Sequence, residues 1–323
     1  MALARTLVTG GCGFIGSHLV DSLLEEGHDV IVVDNLSSGR IDNLERVLPR
    51  IQLHEHDIRN FDMLCELMRG VDFVFHQAAV ASVGKSVMDP VETHEVNVHG
   101  TLNVLLAAKE ARVKRVIFAS SAAIYGSISS PTKVENLGFM PLSPYAASKL
   151  AGEGYMQAFY HSYGLETLCL RYFNVYGPRQ DPNSDYAAVI PSFALALLRG
   201  DRPTIYGDGT QSRDFCYVKD VAKANILATR AASACGQPIN IGSGQAVTIS
   251  DLALEMGSIL AQPVRAVHAH ARPGDVRFSL AGISRAFDEL SYSPGVSLEQ
   301  GLRETMEWYE ARFANSNSPI TVT

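Results

Sequence analysis

No stretch of this 323-residue chain approaches the ~20 consecutive apolar residues of a membrane span, so no membrane-spanning helix is expected. Residues 1–9 carry neither a basic n-region nor a cleavage pattern, and no signal peptide is expected there. Positive charge is scarce as well. Lys and Arg number 27 against 34 Asp and Glu, for a net charge of −7, and no basic cluster exists to follow a phosphate backbone, so no nucleic-acid partner is expected. The five cysteines (Cys12, Cys65, Cys169, Cys216, Cys235) are odd in number and include no C-x-x-C pair. That argues against a disulfide framework and for buried reduced thiols in a cytoplasmic protein. His54/His56 and His268/His270 are each spaced to share a strand face, but neither pair has a third ligand in pattern, so no metal is expected. Internal repeats and low-complexity tracts are missing too.

What is present is an alternation of strand and helix. Strands are expected at 5–9, 29–34, 51–55, 72–76 and 114–119, and helices at 14–26, 60–69 and about 90–112. Val30-Ile31-Val32-Val33 is apolar without alternation, which requires burial on both faces and hence a parallel sheet covered by helices. Another helix follows Pro144, and Glu166–Tyr172 is the next strand. This succession implies an α/β fold with a doubly wound parallel Rossmann sheet. After residue 173, Gly177-Pro178, Asp181-Pro182-Asn183 and Gly207-Asp208-Gly209 mark turns between short elements. Helical periodicity returns at 219–232, 249–261 and 297–313, and Ile239-Asn240-Ile241 is the last strand of the large sheet. The expected organisation is a Rossmann domain of 1–174 plus 217–245 and a smaller interleaved α/β substrate domain of 175–216 plus 246–314. A flexible tail is expected at 315–323.

Between the first strand and its helix stands Leu7-Val8-Thr9-Gly10-Gly11-Cys12-Gly13-Phe14-Ile15-Gly16, a glycine-rich turn of the kind that seats a dinucleotide pyrophosphate. Gly10 permits the tight turn, Gly13 lets the pyrophosphate approach the backbone, and Gly16 lets the helix, opened by Phe14 and Ile15, pack close to the sheet. Asp34 ends the next strand ~20 residues on, with Asn35 beside it, where a carboxylate accepts hydrogen bonds from ribose hydroxyls. Its charge would repel a 2′-phosphate, so NAD is expected rather than NADP. Further along, Tyr145-Ala146-Ala147-Ser148-Lys149 places a phenol and an ammonium on one helix face. A nicotinamide beside a tyrosine of depressed pKa can take a hydride and a proton from a carbinol together, which points to an enzyme.

The spacing G-x-x-G-x-x-G and a series of later segments carry a resemblance. They are Asp57-Ile58, His76-Gln77-Ala78-Ala79, Asn97, Ser120-Ser121-Ala122-Ala123-Ile124-Tyr125-Gly126, Tyr145-x-x-x-Lys149, Arg171-Tyr172-Phe173-Asn174-Val175-Tyr176-Gly177-Pro178, Arg213-Asp214-Phe215 and Arg272-Pro273-Gly274-Asp275. From about residue 5 to 310 the chain resembles the extended short-chain dehydrogenase/reductases, and among them the nucleotide-sugar 4-epimerases. The resemblance implies that Asp57 and Ile58 border the adenine and that Ala78, Ala79 and Asn97 line the cofactor cleft. It also implies that Tyr172 belongs to that cleft and that Lys149 binds the nicotinamide ribose. It further implies a homodimer in which helices 90–112 and 144–163 pair across a two-fold axis, although their apolar stripes would equally serve as internal core.

Oxidising a sugar at C4 needs a base, and free tyrosine with pKa ~10 is a poor one at neutral pH. An ammonium about 4 Å away is worth roughly 4 kcal/mol at an effective dielectric of 20, or about three pK units. Tyr145 is therefore the expected base, Lys149 its electrostatic partner, and Ser121 the hydroxyl that holds the substrate oxygen. Related 4,6-dehydratases and decarboxylases carry an acid in the segment after the serine, whereas Ala122 and Ala123 can move no proton. Chemistry should stop at the 4-keto stage. The family's usual Thr or Ser is absent at Ala123.

On the substrate side the resemblance implies that Asn174, Arg213 and Arg272, with Asp275 nearby, grip the diphosphate, as guanidinium groups suit phosphate oxygens. Ala188, Val189 and Tyr206 would flank the uracil. Ser279, seven residues past Arg272, would face the C2/C6 side of the sugar. In the resembled enzymes a bulky tyrosine there goes with plain hexoses and a small residue with an N-acetyl group. The stretch Arg179–Pro191 also resembles the N-acetylhexosamine group of bacterial polysaccharide pathways. The expected reaction is the reversible C4 epimerisation of UDP-N-acetylglucosamine to UDP-N-acetylgalactosamine through a transient 4-keto sugar and enzyme-bound NADH. The alternatives are a UDP-glucose or UDP-glucuronate 4-epimerase, a net-oxidising dehydrogenase, or a non-catalytic NAD-binding protein.

Overall fold

The strands β1 (Arg5–Thr9) and β2 (Asp29–Asp34) are buried along almost their whole length. Val8, Val30 and Val32 enter one core, while Leu7, Ile31 and Val33 enter another on the opposite face. Two cores, one on each side of the sheet, explain why Leu7-Val8 and Val30–Val33 are apolar without alternation. The structure is a computed structural model that describes residues 4–182, 188–232, 236–271 and 276–315.

The chain continues through β3 (Ile51–Glu55), β4 (Phe73–His76), β5 (Arg115–Ser121), β6 (Thr132–Lys133), β7 (Glu166–Tyr172) and β8 (Asn174–Tyr176). Then follow β9 (Thr204–Tyr206), β10 (Ser212–Arg213), β11 (Phe215–Tyr217), β12 (Pro238–Ile241), β13 (Val247–Thr248), β14 (Val267–Ala269) and β15 (Phe278–Ala281). Seven of them form one sheet in the order β12-β7-β5-β4-β1-β2-β3, with every pairing parallel. The order reverses at β1, and such a switch point opens a crevice beyond the carboxyl ends of the strands. This is the doubly wound Rossmann sheet expected. A smaller sheet, β13-β10-β15-β6, lies outside it.

The helices are α1 (Phe14–Glu25), α2 (Phe61–Leu67), α3 (Val83–Met88), α4 (Pro90–His94), α5 (Gly100–Glu110), α6 (Pro144–Tyr163), α7 (Val189–Leu198), α8 (Val218–Ala228), α9 (Ile249–Ile259), α10 (Ser284–Leu290) and α11 (Leu298–Asn315). Leu19 and Leu23 of α1 and Val221 of α8 pack on one face of the large sheet. Leu64 of α2, Val104 and Leu105 of α5, and Met156 and Phe159 of α6 cover the other. The apolar stripes of α5 and α6 are thus largely spent on internal core. A third core joins Phe193 of α7, Leu252 and Met256 of α9, and Leu302 and Met306 of α11.

Three local differences from the sequence reading have physical causes. The helix expected at 90–112 holds a π-helical turn at Glu95–His99 between α4 and α5, a distortion often found at functional sites. The helix expected to reach 232 stops at Ala228, where Thr229 and Arg230 tighten the last turn by bonding to the carbonyls of Ile226 and Leu227. The strand expected to end at 119 runs on to Ser121, because its pairing with β7 continues as far as Tyr172. Arg272, Asp275 and the tail beyond Asn315 lie outside the described residues.

Candidate active site

Helix α6 starts where it does because Ser143 caps it, accepting a hydrogen bond from the Ala146 amide, and Pro144 occupies its first turn. Tyr145 therefore sits at the helix entrance and Lys149 one turn deeper. Ser121 ends β5; its Oγ accepts from the Ala123 amide at 3.1 Å and is hydrogen-bonded to the Tyr145 side chain. The Lys149 Nζ donates to the Ala119 carbonyl at 2.8 Å and lies 5.9 Å from the centre of the Tyr145 ring. The fold thus brings Ser121, Tyr145 and Lys149 together.

The expectation of a depressed Tyr145 pKa needs correction. Burial pushes the phenol up, and the Ser121 hydrogen bond pulls in the other direction without overcoming it. Burial also pushes Lys149 down, to about 8. Both groups share an enclosed floor where any charge loses hydration, and the ammonium is spent on a carbonyl rather than on the phenol.

Beneath this floor is a polar network that sequence reasoning missed. Arg171 of β7 meets Glu153 of α6 through two parallel bonds, Nε–Oε1 and Nη2–Oε2, both 2.8 Å, with both side chains buried. The Ser120 hydroxyl donates to Glu153 Oε1, and Arg171 Nη1 donates to the Tyr125 hydroxyl at 2.8 Å. Tyr125 in turn donates to Asn240 of β12 at 2.7 Å. Ser120 is the neighbour of Ser121, and Glu153 lies one turn beyond Lys149, so this network ties β5 and β7 to α6. An arginine inside the apolar run Leu168-Cys169-Leu170-Arg171 was the available signal, since a buried cation demands a partner.

The dinucleotide turn fits NAD by its shape. Gly10 has φ +70°, and a Cβ there would come within 2.7 Å of the Ala78 amide nitrogen. A Cβ on Gly16 would sit 2.1 Å from the Gly10 carbonyl oxygen. Gly16 therefore serves close packing of the helix against the turn itself rather than against the sheet. Helix α1, capped by Gly13 and opened by Phe14 and Ile15, has no acid in its first turn and no side-chain cap, which leaves its amide end suited to a phosphate. Asp34 stands at the end of β2, its carboxylate accepting from the Cys12 and Leu36 amides at 2.9 Å each. Burial pushes its carboxyl up, while those two bonds pull it down. Asn35 donates to Asp57 at 2.9 Å, and the Arg59 guanidinium, bonding both Asp57 oxygens, holds that carboxyl down to about 2. Ile58 is buried beside Gly100.

Several cleft residues act through their neighbours. Asn97, in the π turn, accepts from the Val80 amide and donates to the Val80 carbonyl and Ser148 Oγ, fixing the loop that carries Ala78 and Ala79 to α6. Tyr172 turns its hydroxyl into a buried cluster with Gln77 and Asn225. His76 bridges Thr9 and Thr101 at 2.8 and 2.9 Å. Because the Thr101 hydroxyl is donated to the Asn97 carbonyl at 2.6 Å, His76 must carry its proton on Nε2 and accept on Nδ1. Burial pushes this histidine down to about 3, so it stays neutral.

On the substrate side, β10 and β15 run parallel with Arg213 opposite Ser279. The two residues expected to meet diphosphate and sugar are thus adjacent on one small sheet. Asn174 opens β8 and pairs with Phe215. Ala188 precedes α7 and Val189 begins it, and Tyr206 ends β9 opposite Ala269.

With the geometry in place, the comparisons are specific. Residues 6–242 match the NAD dependent epimerase/dehydratase family. The UDP-glucose 4-epimerase of Mycolicibacterium smegmatis is 39% identical over 311 residues, covering 94% of this chain and 98% of that protein. The solved UDP-N-acetylglucosamine 4-epimerase of Methanobrevibacter ruminantium, in complex with UDP-N-acetylmuramic acid, is 43% identical with a TM-score of 0.93, over 97% of this chain and 100% of that one. The UDP-glucose 4-epimerase of Thermus thermophilus, solved with NAD, is 37% identical with a TM-score of 0.86, over 95% of this chain and 99% of that one. The chain belongs to the NAD dependent epimerase/dehydratase family, and its cofactor is NAD.

Proposed function

We propose that this NAD-dependent UDP-sugar 4-epimerase interconverts UDP-N-acetylglucosamine and UDP-N-acetylgalactosamine. The observation that carries the reading is the placement of Ser279 beside Arg213 in a parallel pair. On this reading the small Ser279 side chain leaves room for the sugar to swing beside the Arg213 cation that holds the diphosphate, a role that Arg272 and Asp275, outside the described residues, would share. Support also comes from the name of the Methanobrevibacter ruminantium enzyme.

NAD would be held by the Gly10–Gly16 turn and Asp34 and, when bound, would supply a reversible hydride acceptor and the positive charge of its oxidised ring. Tyr145 takes the hydroxyl proton as the C4–H bond breaks and gives it back to the keto oxygen on the return. Ser121 holds O4 through both passes, and Lys149 keeps a positive charge under the phenol while protonated. Ala122 and Ala123 offer no acid or base to move a proton elsewhere on the ring, so the 4-keto sugar can only be reduced again. Inversion then requires the sugar to turn while Asn174, Arg213, Val189 and Tyr206 keep the nucleotide fixed. We assign 1–174 plus 217–245 to the NAD-binding unit and 175–216 plus 246–314 to the UDP-sugar unit.

The test is to incubate the protein separately with UDP-N-acetylglucosamine and UDP-glucose and resolve the C4 epimers by NMR. Product from UDP-glucose alone would replace this reading with the second one, UDP-glucose 4-epimerisation, which the Mycolicibacterium smegmatis relative favours. The same reading includes a cytoplasmic homodimer. No described helix is long and apolar enough to cross a membrane; Met88 at the end of α3 and Val91 of α4, 79% and 66% exposed, would offer apolar surface to a second copy. Light scattering at the monomer mass would remove the dimer.

A further inference from the structure

Asp214 is 0% exposed, and among the described residues no lysine or arginine pairs with it. Instead its carboxylate accepts four hydrogen bonds. Oδ1 receives the Ser243 amide at 2.6 Å and the Ser243 hydroxyl at 2.7 Å. Oδ2 receives the Gly244 amide at 2.9 Å and the Ala281 amide at 3.1 Å. Its main-chain carbonyl accepts from the Asn174 amide at 3.1 Å. A Cβ on Gly242 would come within 2.9 Å of the same carboxylate, so the strand end is shaped to it.

These bonds join four segments at one point. Arg213 is the covalent neighbour of Asp214, Asn174 is bonded to it directly, and Ser279 lies two residues before Ala281 on β15. The fourth segment, Ser243 and Gly244, follows β12, the edge strand of the large sheet. Only a carboxylate offers two oxygens that can each take two donors in so small a volume. We propose that Asp214 is a positioning residue that docks the diphosphate-binding and sugar-facing residues onto the Rossmann sheet, so that its loss weakens the grip on the UDP moiety more than it slows the chemistry. The proposal rests on the assignment of Arg213 to the diphosphate.

Asp214→Asn keeps the volume but turns one oxygen into an amide that faces donors. In folded protein that retains NAD, UDP affinity should fall by about tenfold, the scale of a buried donor left unsatisfied. KM should rise together for UDP-N-acetylglucosamine and UDP-glucose, while kcat at saturation stays within about threefold. Ser243→Ala, which removes one bond and keeps the amide, should weaken UDP by about threefold. The measurements are UDP titration by calorimetry, steady-state kinetics and NAD content after denaturation. Unchanged UDP affinity in NAD-loaded Asp214→Asn overturns the proposal, as does a kcat loss that exceeds the KM change. If Asp214→Asn does not fold, unchanged UDP affinity in Ser243→Ala overturns it instead. Arg213→Ala separates the two assignments, because unchanged UDP affinity there removes the diphosphate role of Arg213 itself.

Discussion

Two buried carboxylates sit under the two halves of this site, and they are held in opposite ways. Glu153, below Ser121, Tyr145 and Lys149, is neutralised by the Arg171 guanidinium. Asp214, below Arg213 and Ser279, is held only by amide and hydroxyl groups. The first arrangement is an ion pair between a helix and a strand of one sheet, and it ties together the elements that carry the proposed proton-transfer residues. The second collects a hydroxyl and amides from the loop after β12 and from β15, which suits the proposed grip on one part of a substrate while another part turns. The difference teaches that a rigid floor and a shared knot are separate devices, and that each should fail in its own way.

The sharpest break is Glu153→Gln. Removing one charge leaves Arg171 buried and unpaired, which should cost about 3–5 kcal/mol of stability, measured by denaturant unfolding. In folded protein, kcat should drop with little change in UDP affinity, and a change confined to affinity would erase the contrast with Asp214. Next comes Tyr145→Phe, which should fold and retain NAD but lose turnover by about 10²-fold or more. Near-normal turnover would sink the assignment of the base. Ser279→Tyr should lower kcat/KM for UDP-N-acetylglucosamine by about tenfold, since overpacking a protein wall costs ~1–3 kcal/mol. UDP-glucose should be spared, so the ratio of the two values is the measurement, and an unchanged ratio would show that residue 279 is no gate.

The smallest effect concerns pH and lies outside both carboxylates. His18 is bonded to the Pro178 carbonyl, and burial pushes it down to about 4 against an ordinary value of 6.5. In that window the unfolded chain binds the proton and the folded one does not, so stability is present above 6.5 and drains away as pH falls towards 4. Between pH 6 and 5 the loss from this group should be about 1 kcal/mol. His18→Gln should flatten that part of the unfolding curve, and an unaltered slope would mean that other groups govern it.

Local pattern made much of this site legible. The turn Gly10–Gly16, Asp34 at the next strand end and the four-residue step from Tyr145 to Lys149 each express a periodicity that the backbone must follow. Glu153 and Arg171, 18 residues apart along the chain and paired by a helix crossing a sheet, could be suspected only from a cation in an apolar strand. Asp214 gave less warning, because its partners lie 29 to 67 residues away, in the loop after β12 and at the end of β15, and no local spacing links them to it.

The sequence alone determined which strands are buried on both faces, where the dinucleotide turn falls, and which phenol and ammonium share a helix face, because these depend on repeats of two and 3.6 residues. Tertiary structure decided that Arg213 stands opposite Ser279, since register between distant strands is set by packing. It also decided the direction of the Tyr145 and Lys149 shifts, since desolvation depends on everything that closes over a charge, and no local spacing records that.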